Sequence, residues 1–411
     1  MSYKKLLLCF SLLSIGWSLL LGQVDEEGPS ITCFAMDSTL VAYTSPPTAF
    51  LSGSITPTAE FDLDFAANVP SIAQAPISYA ASIWASYLVS DIPIRVEINW
   101  LNQGDNRLLA SAGPTSVIRD FAQAPQGQTW YPVALAESIT GQELNASDPD
   151  IVVTVNSTAN WYFGEDGNVP PGQIDLVSVA LHELGHGLGF LATTDTLGAT
   201  QAEYGIQGLP IVYDQFVEDE DGVRITNQIV YPNPGIALRQ LITIGEVFFG
   251  GDATIANFGT APPLFSPGIF DIGSSVSHLC EFEFPTGSEN ALMTPQLAFR
   301  EAVHDPGPLT LAMLADMGWS INENLTSVTE FAVHQLKVYP NPGSDFLWVN
   351  IPVKPQTGQL QLQALNGSRL FTSIPVTSSP MRIDLQDLPK GWYLLSYQNQ
   401  RSVISTRILI Q

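Results

Sequence analysis

One stretch of the sequence, from Ile174 to Leu191, constrains this chain more than any other. Its apolar side chains recur at helical spacing, which predicts a helix with one buried face. These side chains are Ile174, Val177, Leu181, Leu184 and Leu188. The same helix carries His182, Glu183 and His186. Two imidazoles and a carboxylate are costly to bury without a partner, so this helix is expected to bind something polar.

The spacing of these three residues indicates a divalent metal. The pattern is H-E-x-x-H, and residues four apart lie on one face of a helix, so His182 and His186 can reach the same ion. Zinc accepts nitrogen donors at about 2.0–2.1 Å and keeps a position for water in catalytic sites. Glu183, turned about 100° around the helix axis, can reach that water and act as a general base. The alternative is a chance match on a structural helix.

Two nitrogens do not complete a zinc site, so a third ligand is expected elsewhere in the chain. The chain has five histidines, and His334 falls in a polar linker, which makes it a poor candidate. His278 and His304 therefore remain. Three carboxylates also stay open at this point: Asp195, Glu203 and Glu218.

The motif and the residues after it resemble those of the metzincin metalloproteases. In that group the helix ends at a glycine three residues after the second histidine, as at Gly189. Most metzincins have a third histidine three residues further on, but here that position is Ala192. The leishmanolysin-like branch differs in the same way and takes its third histidine from beyond an insertion, shortly before a methionine turn. His278 and Met293 match these two features.

This resemblance implies a secreted zinc-dependent endopeptidase of proteins or peptides, with one catalytic Zn²⁺. The site residues that it implies are the metal ligands His182, His186 and His278, the catalytic base Glu183, and Met293 in a turn beneath the ligands. His304, and after it Glu203, remain rival third ligands. The alternative function is a catalytically inactive zincin-like adhesin or binding protein.

Two cysteines remain after export, Cys33 and Cys280, since Cys9 leaves with the predicted signal peptide. An even number of cysteines in an oxidising compartment predicts a disulfide between them. Because Cys280 lies two residues past His278, that bridge would tie the N-terminal segment beside the metal. The alternative is that Cys33 acts as a thiolate that blocks zinc in a latent form.

The composition changes along the 411 residues, which are enough for two or three domains. A basic pair before an apolar run predicts a signal peptide at 1–22, so the mature form is expected to have no transmembrane segment. Residues 23–58 are expected to be a short pro-segment or an irregular N-terminal arm. The fold class predicted is α+β: a zincin-like domain at 59–320, with a mixed sheet and the active-site helix, a linker at 321–330, and a small all-β sandwich at 331–411.

Within the larger domain, alternating apolar residues predict strands at 60–66, 94–100 and 150–157, and helical spacing predicts helices at 72–89 and 308–318. The strand at 150–157 is expected to be the edge strand above the metal, because an extended peptide can add to such an edge. The alternative is an ordinary internal strand.

The C-terminal region carries two motifs, L-K-V-Y-P-N-P from Leu336 and L-P-K-G-W-Y-L from Leu388. Both resemble the sorting domain of the type IX secretion system of Bacteroidetes-like bacteria. The resemblance implies the type IX machinery as a partner and a location outside the cell or on the outer-membrane surface of a Gram-negative bacterium. The alternative is a carbohydrate-binding or adhesive sandwich.

The formal net charge of −25 makes binding to nucleic acid or to an anionic membrane surface improbable. An acidic run at 218–222, ending in Gly222, suggests Ca²⁺ as a second, weaker metal candidate. The alternative for this run is a solvated hairpin turn.

Overall fold

The computed structural model divides the chain into two compact units, residues 1–326 and 327–411, which are described separately. The described residues are 24–322 apart from 106, 146–147 and 245, then 325, 337–339, 341–350, 359–364, 371–375, 380–386, 388–398 and 403–411. The predicted signal peptide, most of the predicted linker and His334 lie outside them.

The first unit mixes strands and helices. Its strands are β1 (Val24–Glu27), β2 (Ile31–Thr44), β3 (Phe61–Phe65), β4 (Leu88–Val89), β5 (Ile94–Leu101), β6 (Leu108–Pro114), β7 (Ser116–Arg119), β8 (Tyr131–Pro132), β9 (Ile151–Asn156), β10 (Trp161–Tyr162), β11 (Ile174–Asp175), β12 (Asp195–Leu197), β13 (Gln201–Glu203), β14 (Val217–Glu218), β15 (Phe248–Phe249), β16 (Gln296–Val303) and β17 (Ser320–Ile321). Its helices are α1 (Thr48–Leu51), α2 (Ser71–Tyr87), α3 (Val133–Thr140), α4 (Leu176–Gly187), α5 (Ile236–Ile244), α6 (Asp252–Phe258) and α7 (Gly307–Met317), with a 3-10 helix at Tyr213–Phe216. No helix within the described ranges has both the length and the apolar character that a bilayer crossing needs.

A six-stranded mixed sheet organises this unit, in the order β16-β2-β6-β9-β5-β3. Strands β3, β5 and β9 run parallel, β6 runs antiparallel to β9, and β2 runs antiparallel to β6 but parallel to β16. In β5 the alternate residues Ile94, Val96 and Ile98 are buried, as the period of two predicts. The helices pack on the buried side of the sheet.

Helices α2 and α4 pack on the sheet and against each other. Trp84 of α2 is fully buried, and its Nε1 donates to the carbonyl of Leu181 in α4 over 2.9 Å. Burying a side chain of this size stabilises the fold by roughly 3 kcal/mol. Helix α4 begins after Asp175, whose carboxylate accepts from the Ser178 amide over 2.8 Å, a cap that contributes about 1 kcal/mol. The helix that carries the H-E-x-x-H pattern is therefore held by α2 and the sheet along its length and by Asp175 at its N-terminus.

Two expectations about this unit are wrong. The N-terminal segment is not an irregular arm, because 14 of its residues form β2 and are hydrogen-bonded into the main sheet. The strand predicted at 150–157 is not an edge strand, because β9 lies between β5 and β6. Every second side chain of β9 is buried, and the strand is apolar enough to occupy the middle of the sheet.

The second unit contains strands only, among its described residues. They are β18 (Lys337–Tyr339), β19 (Phe346–Asn350), β20 (Gln359–Ala364), β21 (Phe371–Pro375), β22 (Met381–Asp384), β23 (Gly391–Gln398) and β24 (Val403–Ile410). They form a three-stranded sheet, β18-β19-β22, and a four-stranded sheet, β21-β20-β23-β24. Leu347 and Val349 from the first sheet share one core with Leu395 and Tyr397 from the second. Two sheets around one core is the arrangement of a sandwich.

Candidate metal centre

Three imidazoles meet at the C-terminal half of α4. The Nε2 atoms of His182 and His186 are 2.9 Å apart, those of His186 and His278 are 3.1 Å apart, and those of His278 and His182 are 3.3 Å apart. Tetrahedral bonds of about 2.0–2.1 Å from one zinc ion would place such nitrogens about 3.3–3.4 Å apart. The three nitrogens therefore form a triangle close to the size that one ion needs.

The other nitrogen of each ring decides what the triangle can bind. Nδ1 of His182 donates to the carbonyl of Leu292 over 2.6 Å, that of His186 to Phe190 over 2.6 Å, and that of His278 to Ser274 over 2.8 Å. Carbonyl oxygens only accept, so in each neutral ring the proton lies on Nδ1 and Nε2 presents a lone pair. Three lone pairs that face one another repel unless a cation lies among them, which is the arrangement expected of metal ligands.

Protonation of one of the three rings does not supply that cation at neutral pH. Burial lowers the pKa of His182 to about 4 and the pKa of His278 to about 3. Burial also holds the pKa of His186 well below its usual range, and the two neighbouring imidazoles lower it further. All three rings are therefore neutral at pH 7, which is the form that binds a metal.

Glu183 lies beside this triangle with its carboxylate unsatisfied. The residue is fully buried, and neither carboxylate oxygen has a hydrogen-bond partner. Burial raises the pKa of Glu183 well above its usual value. A buried carboxylate normally has partners, so one without any is suited to a ligand or to a water molecule.

The long segment between α4 and His278 is folded back onto the end of α4. The amide of Ala192 donates to Ser277 Oγ over 3.0 Å, so the segment after α4 lies against the residue before His278. Val276, fully buried, has a φ of 67°, which is unusual for a β-branched residue. The fold thus brings His278, from far along the chain, to the end of α4.

Met293 lies against the C-terminal half of α4, in a turn closed by the amide of Thr294 and the carbonyl of Ala291 over 3.1 Å. It is fully buried, and its sulfur lies against Gly185, between the two histidines of the helix. A Cβ at Gly185 would come within 2.9 Å of that sulfur, so the glycine permits the close approach. The carbonyl of Met293 also accepts from the Leu279 amide over 2.8 Å, which ties the turn to His278.

The rival ligands lie elsewhere. His304 is fully buried at the other end of α4, where its Nε2 is 2.7 Å from the Asp175 carboxylate. Asp195 and Glu203 are exposed and paired across a hairpin. Glu218 faces Arg224 at 3.3 Å. Among the described residues, none of these four shares a potential metal-binding group with His182 and His186, whereas His278 does.

The predicted disulfide is not formed, because Cys33 and Cys280 are both free thiols. Cys33 is buried on β2, and its sulfur, a ring nitrogen of His182 and a carboxylate oxygen of Glu183 lie within 4.8 Å of one another. The thiol is therefore directed toward α4 and not toward a second cysteine. Burial, with Glu183 nearby, raises the pKa of Cys33 well above its usual value, so the thiol is protonated.

The acidic run at 218–222 forms a turn. Asp219 Oδ1 accepts from the amides of Asp221 and Val223 over 3.0 and 2.8 Å, and Gly222 has a φ of 76°. Within the described part of the chain, this run is not among the groups that could hold a metal. The carboxylate that would have to bind calcium is already satisfied by its own turn.

Two family profiles match parts of the chain. A profile described as a secretion system C-terminal sorting domain matches residues 337–411. The chain therefore ends in a type IX sorting domain. This finding confirms the prediction from the two C-terminal motifs, and it establishes the protein as secreted or held at the cell surface, with the secretion machinery as a partner.

The second profile, described as SPBPB7E8-like, matches residues 74–210, which include His182, Glu183 and His186 but end before His278. An uncharacterised protein of Schizosaccharomyces pombe, PB7E8.01, is 34% identical over 93 residues, which is 22% of this chain and 16% of that protein. An endo-β-1,4-mannanase from Thermotoga petrophila matches structurally over 26% of this chain and 25% of that chain, with 11% identity and a TM-score of 0.16. None of these matches indicates an activity for the region that contains His182, Glu183 and His186.

Proposed function

We propose that the protein is a secreted zinc-dependent peptidase that hydrolyses peptide bonds in proteins or peptides, most simply as an endopeptidase. The observation that carries the proposal is the convergence of three neutral Nε2 atoms, 2.9 to 3.3 Å apart, beside a buried carboxylate with no partner. This donor set fits zinc, because three nitrogen ligands leave a coordination position open, as in catalytic sites. A structural zinc site would use four protein ligands.

His182, His186 and His278 would hold the metal. When bound, zinc supplies a Lewis acid that polarises a carbonyl group and lowers the pKa of water. The three backbone carbonyls behind the rings fix the tautomers and ring orientations, and such support is commonly worth 10- to 100-fold in metal affinity.

Glu183 is the residue that would move the proton. It follows His182 directly in the helix, and its carboxylate is held in an apolar, buried setting that raises its pKa. A base with a raised pKa can take a proton from water during attack and return it to the leaving amine. A purely structural metal site would have no use for this carboxylate.

The inactive binding protein remains the second candidate, and one observation favours it. His182 is 3% exposed, and His186, His278 and Glu183 are 0% exposed, so a substrate has no access to the site as described. A sealed site is typical of a structural metal. The two candidates differ in what they require of Glu183.

The test is Glu183→Gln, which keeps the size of the side chain and removes the base. We expect casein hydrolysis to fall by at least about 100-fold while zinc stays at one ion per chain. Glu203→Gln, at an exposed carboxylate, is the matched control and should change neither quantity. Equal hydrolysis by wild type and Glu183→Gln would exclude the proposed mechanism.

A further inference from the structure

Three carboxylates lie together at the end of α3, and none of them belongs to the histidine centre. Glu137 lies in α3, Glu143 follows that helix, and Asp150 directly precedes β9. Each offers an oxygen within 4.8 Å of an oxygen from each of the other two. Two oxygens bound to one Ca²⁺ ion, at about 2.3–2.6 Å each, are at most about 5 Å apart. The three carboxylates are therefore close enough to share such an ion.

The two buried members of this cluster each have one oxygen that lacks a donor. Glu137 is 1% exposed and Asp150 is 0% exposed. Oε1 of Glu137 accepts from the Leu144 amide over 2.8 Å, and Oδ2 of Asp150 accepts from the amide of Arg95, also over 2.8 Å. Within the part of the chain that the structure describes, Oε2 of Glu137 and Oδ1 of Asp150 have no hydrogen-bond partner. Buried carboxylate oxygens normally have one, so these two atoms indicate a ligand.

The charge of the cluster indicates the sign and size of that ligand. Nη2 of Arg95 is 2.5 Å from Oε1 of Glu143 and 3.8 Å from Oδ1 of Asp150. Three ionised carboxylates and this one guanidinium leave a net charge of −2. Unbalanced charge in a buried site costs free energy, and one divalent cation would balance it.

The rival occupant is a proton. Burial, and next the facing carboxylate of Glu143, raise the pKa of Glu137 to about 8. A proton held between these two carboxylates would balance one charge, but it would give Oδ1 of Asp150 no partner. A divalent cation would bind all three carboxylates at once. Geometry and charge together therefore favour the cation.

We propose that Glu137, Glu143 and Asp150 bind one Ca²⁺ ion. The cluster offers only oxygen donors, which hard cations prefer, whereas nitrogen and sulfur donors suit zinc and copper. Ca²⁺ accepts about six to eight oxygens in a flexible arrangement that includes water, whereas Mg²⁺ demands a near-ideal octahedron. Glu143 is exposed, so water can complete the coordination on its side. The proposal concerns a second metal and does not depend on the activity of the histidine centre.

The bound ion would fasten α3 to two interior strands of the main sheet. Glu137 belongs to α3, and Asp150 begins the segment that continues as β9. The Asp150 amide also donates to the carbonyl of Arg95, at the start of β5, over 2.8 Å. An ion that binds the folded chain and not the unfolded chain raises the melting temperature. Calcium is therefore expected to act on stability.

The experiment uses the full chain, loaded with zinc, in calcium-free buffer. Isothermal titration calorimetry measures Ca²⁺ binding, and thermal unfolding is followed with and without Ca²⁺. Glu137→Gln is the decisive variant, because its amide oxygen can still accept from the Leu144 amide while its NH₂ group donates to Glu143, as the proton would. This variant should therefore fold without the ion. Asp221→Asn, at an exposed carboxylate in the acidic turn at 218–222, is the matched control.

We expect wild type and Asp221→Asn to bind one Ca²⁺ with a dissociation constant on the order of 10⁻⁴–10⁻³ M, the range of extracellular calcium modules. Saturating Ca²⁺ should raise their melting temperature by about 5 °C. Glu137→Gln should bind Ca²⁺ at least about tenfold more weakly and lose most of this shift. Its melting temperature without Ca²⁺ should be at least that of wild type.

A wild type that neither binds Ca²⁺ nor melts at a higher temperature with it would leave the proton as the occupant and overturn the proposal. Equal Ca²⁺ binding by wild type and Glu137→Gln would place the ion elsewhere, and Mg²⁺ binding as tight as Ca²⁺ binding would refute the choice of ion. Should Glu137→Gln fail to fold, Glu143→Gln makes the same test at an exposed position, because its amide oxygen still accepts from Arg95. It should also weaken Ca²⁺ binding about tenfold, and wild-type affinity in this variant would overturn the proposal.

Discussion

Helix α4 has buried histidines at both ends, and the two ends are built differently. At its N-terminus His304 is paired with Asp175, whose carboxylate also accepts from the amide and the hydroxyl of Ser178 over 2.8 and 2.6 Å. At its C-terminal half three Nε2 atoms face one another, and Glu183 has no partner. Among the described residues, one oxygen of Asp175 at the first end has three hydrogen-bond partners, although its other oxygen and Nδ1 of His304 have none; at the second, neither oxygen of Glu183 has a partner.

The histidines at the two ends are equally buried. What distinguishes the structural His304 from the candidate metal ligands is the set of hydrogen-bond partners around each ring. Asp175 caps the helix and binds His304, which follows directly on β16, so this cluster fastens the end of a strand to the start of α4. The imidazoles at the other end turn their protonated nitrogens to carbonyls and leave their acceptors free. Mutations should therefore affect metal binding at one end and stability at the other.

The largest effect is expected from His278→Ala. Three protein ligands share a zinc-binding free energy of about 10–16 kcal/mol, so losing one should weaken zinc binding about a thousandfold or more. His304→Ala is the control and should bind one zinc with nearly wild-type affinity. Isothermal titration with zinc in a competing buffer measures both. If zinc binding survives His278→Ala and is lost in His304→Ala, the assignment of the two ends is reversed.

The next largest effect is the stability of His304→Ala. Oδ2 of Asp175 would keep its two contacts with Ser178 but lose its third, so a buried carboxylate would have one compensating hydrogen bond fewer. We expect the free energy of unfolding to fall by about 2–3 kcal/mol. Urea unfolding of the metal-free protein gives this value. A loss below about 0.5 kcal/mol would show that the pair does not fasten the helix.

The sequence was sufficient to predict the half of the site that depends on local geometry. His182, Glu183 and His186 share one helix, and helical spacing alone decides that the two rings lie on one face. His278 is different, because its position follows from how more than 80 intervening residues fold, which no spacing rule describes. The resemblance to the leishmanolysin-like branch points to His278 as the third ligand. The residue types alone do not distinguish it from His304.

The role of the N-terminal segment could not be read in the same way. Residues 31–44 have no strong apolar period, because Phe34 and Met36 interrupt the alternation of Ile31, Cys33 and Ala35, so the pattern does not predict the strand that they form. Pairing of β2 with β6 and β16 depends on residues far apart in the chain. The predicted disulfide was wrong because an even number of cysteines does not show which way each thiol points. The thiol of Cys33 lies near His182 and Glu183, and both cysteines are free.

The pH dependence of stability sharpens the contrast further. His278 has a folded pKa of about 3 against an ordinary value of 6.5, so its stabilising effect is complete above pH 6.5 and is lost as the pH falls toward 3. Between pH 7 and pH 5, the metal-free wild type should lose about 2 kcal/mol more unfolding free energy than His278→Gln. The difference between the two proteins isolates this ring from the buried carboxyl groups, which titrate in both. Equal pH dependence in the two would mean that His278 is not held neutral by burial.

The smallest effect is expected at Met293, which lies against the C-terminal half of α4. Met293→Leu conserves most of the volume, so the free energy of unfolding should fall by about 1 kcal/mol. Zinc stoichiometry should stay at one, because the rings are oriented by backbone carbonyls and not by the sulfur. Met313→Leu, at a fully buried methionine of α7, is the matched control for the loss of a thioether. If Met293→Leu loses zinc and Met313→Leu does not, the sulfur against Gly185 helps to hold the ligand geometry, and the ligand end of α4 depends on packing as well as on hydrogen bonds.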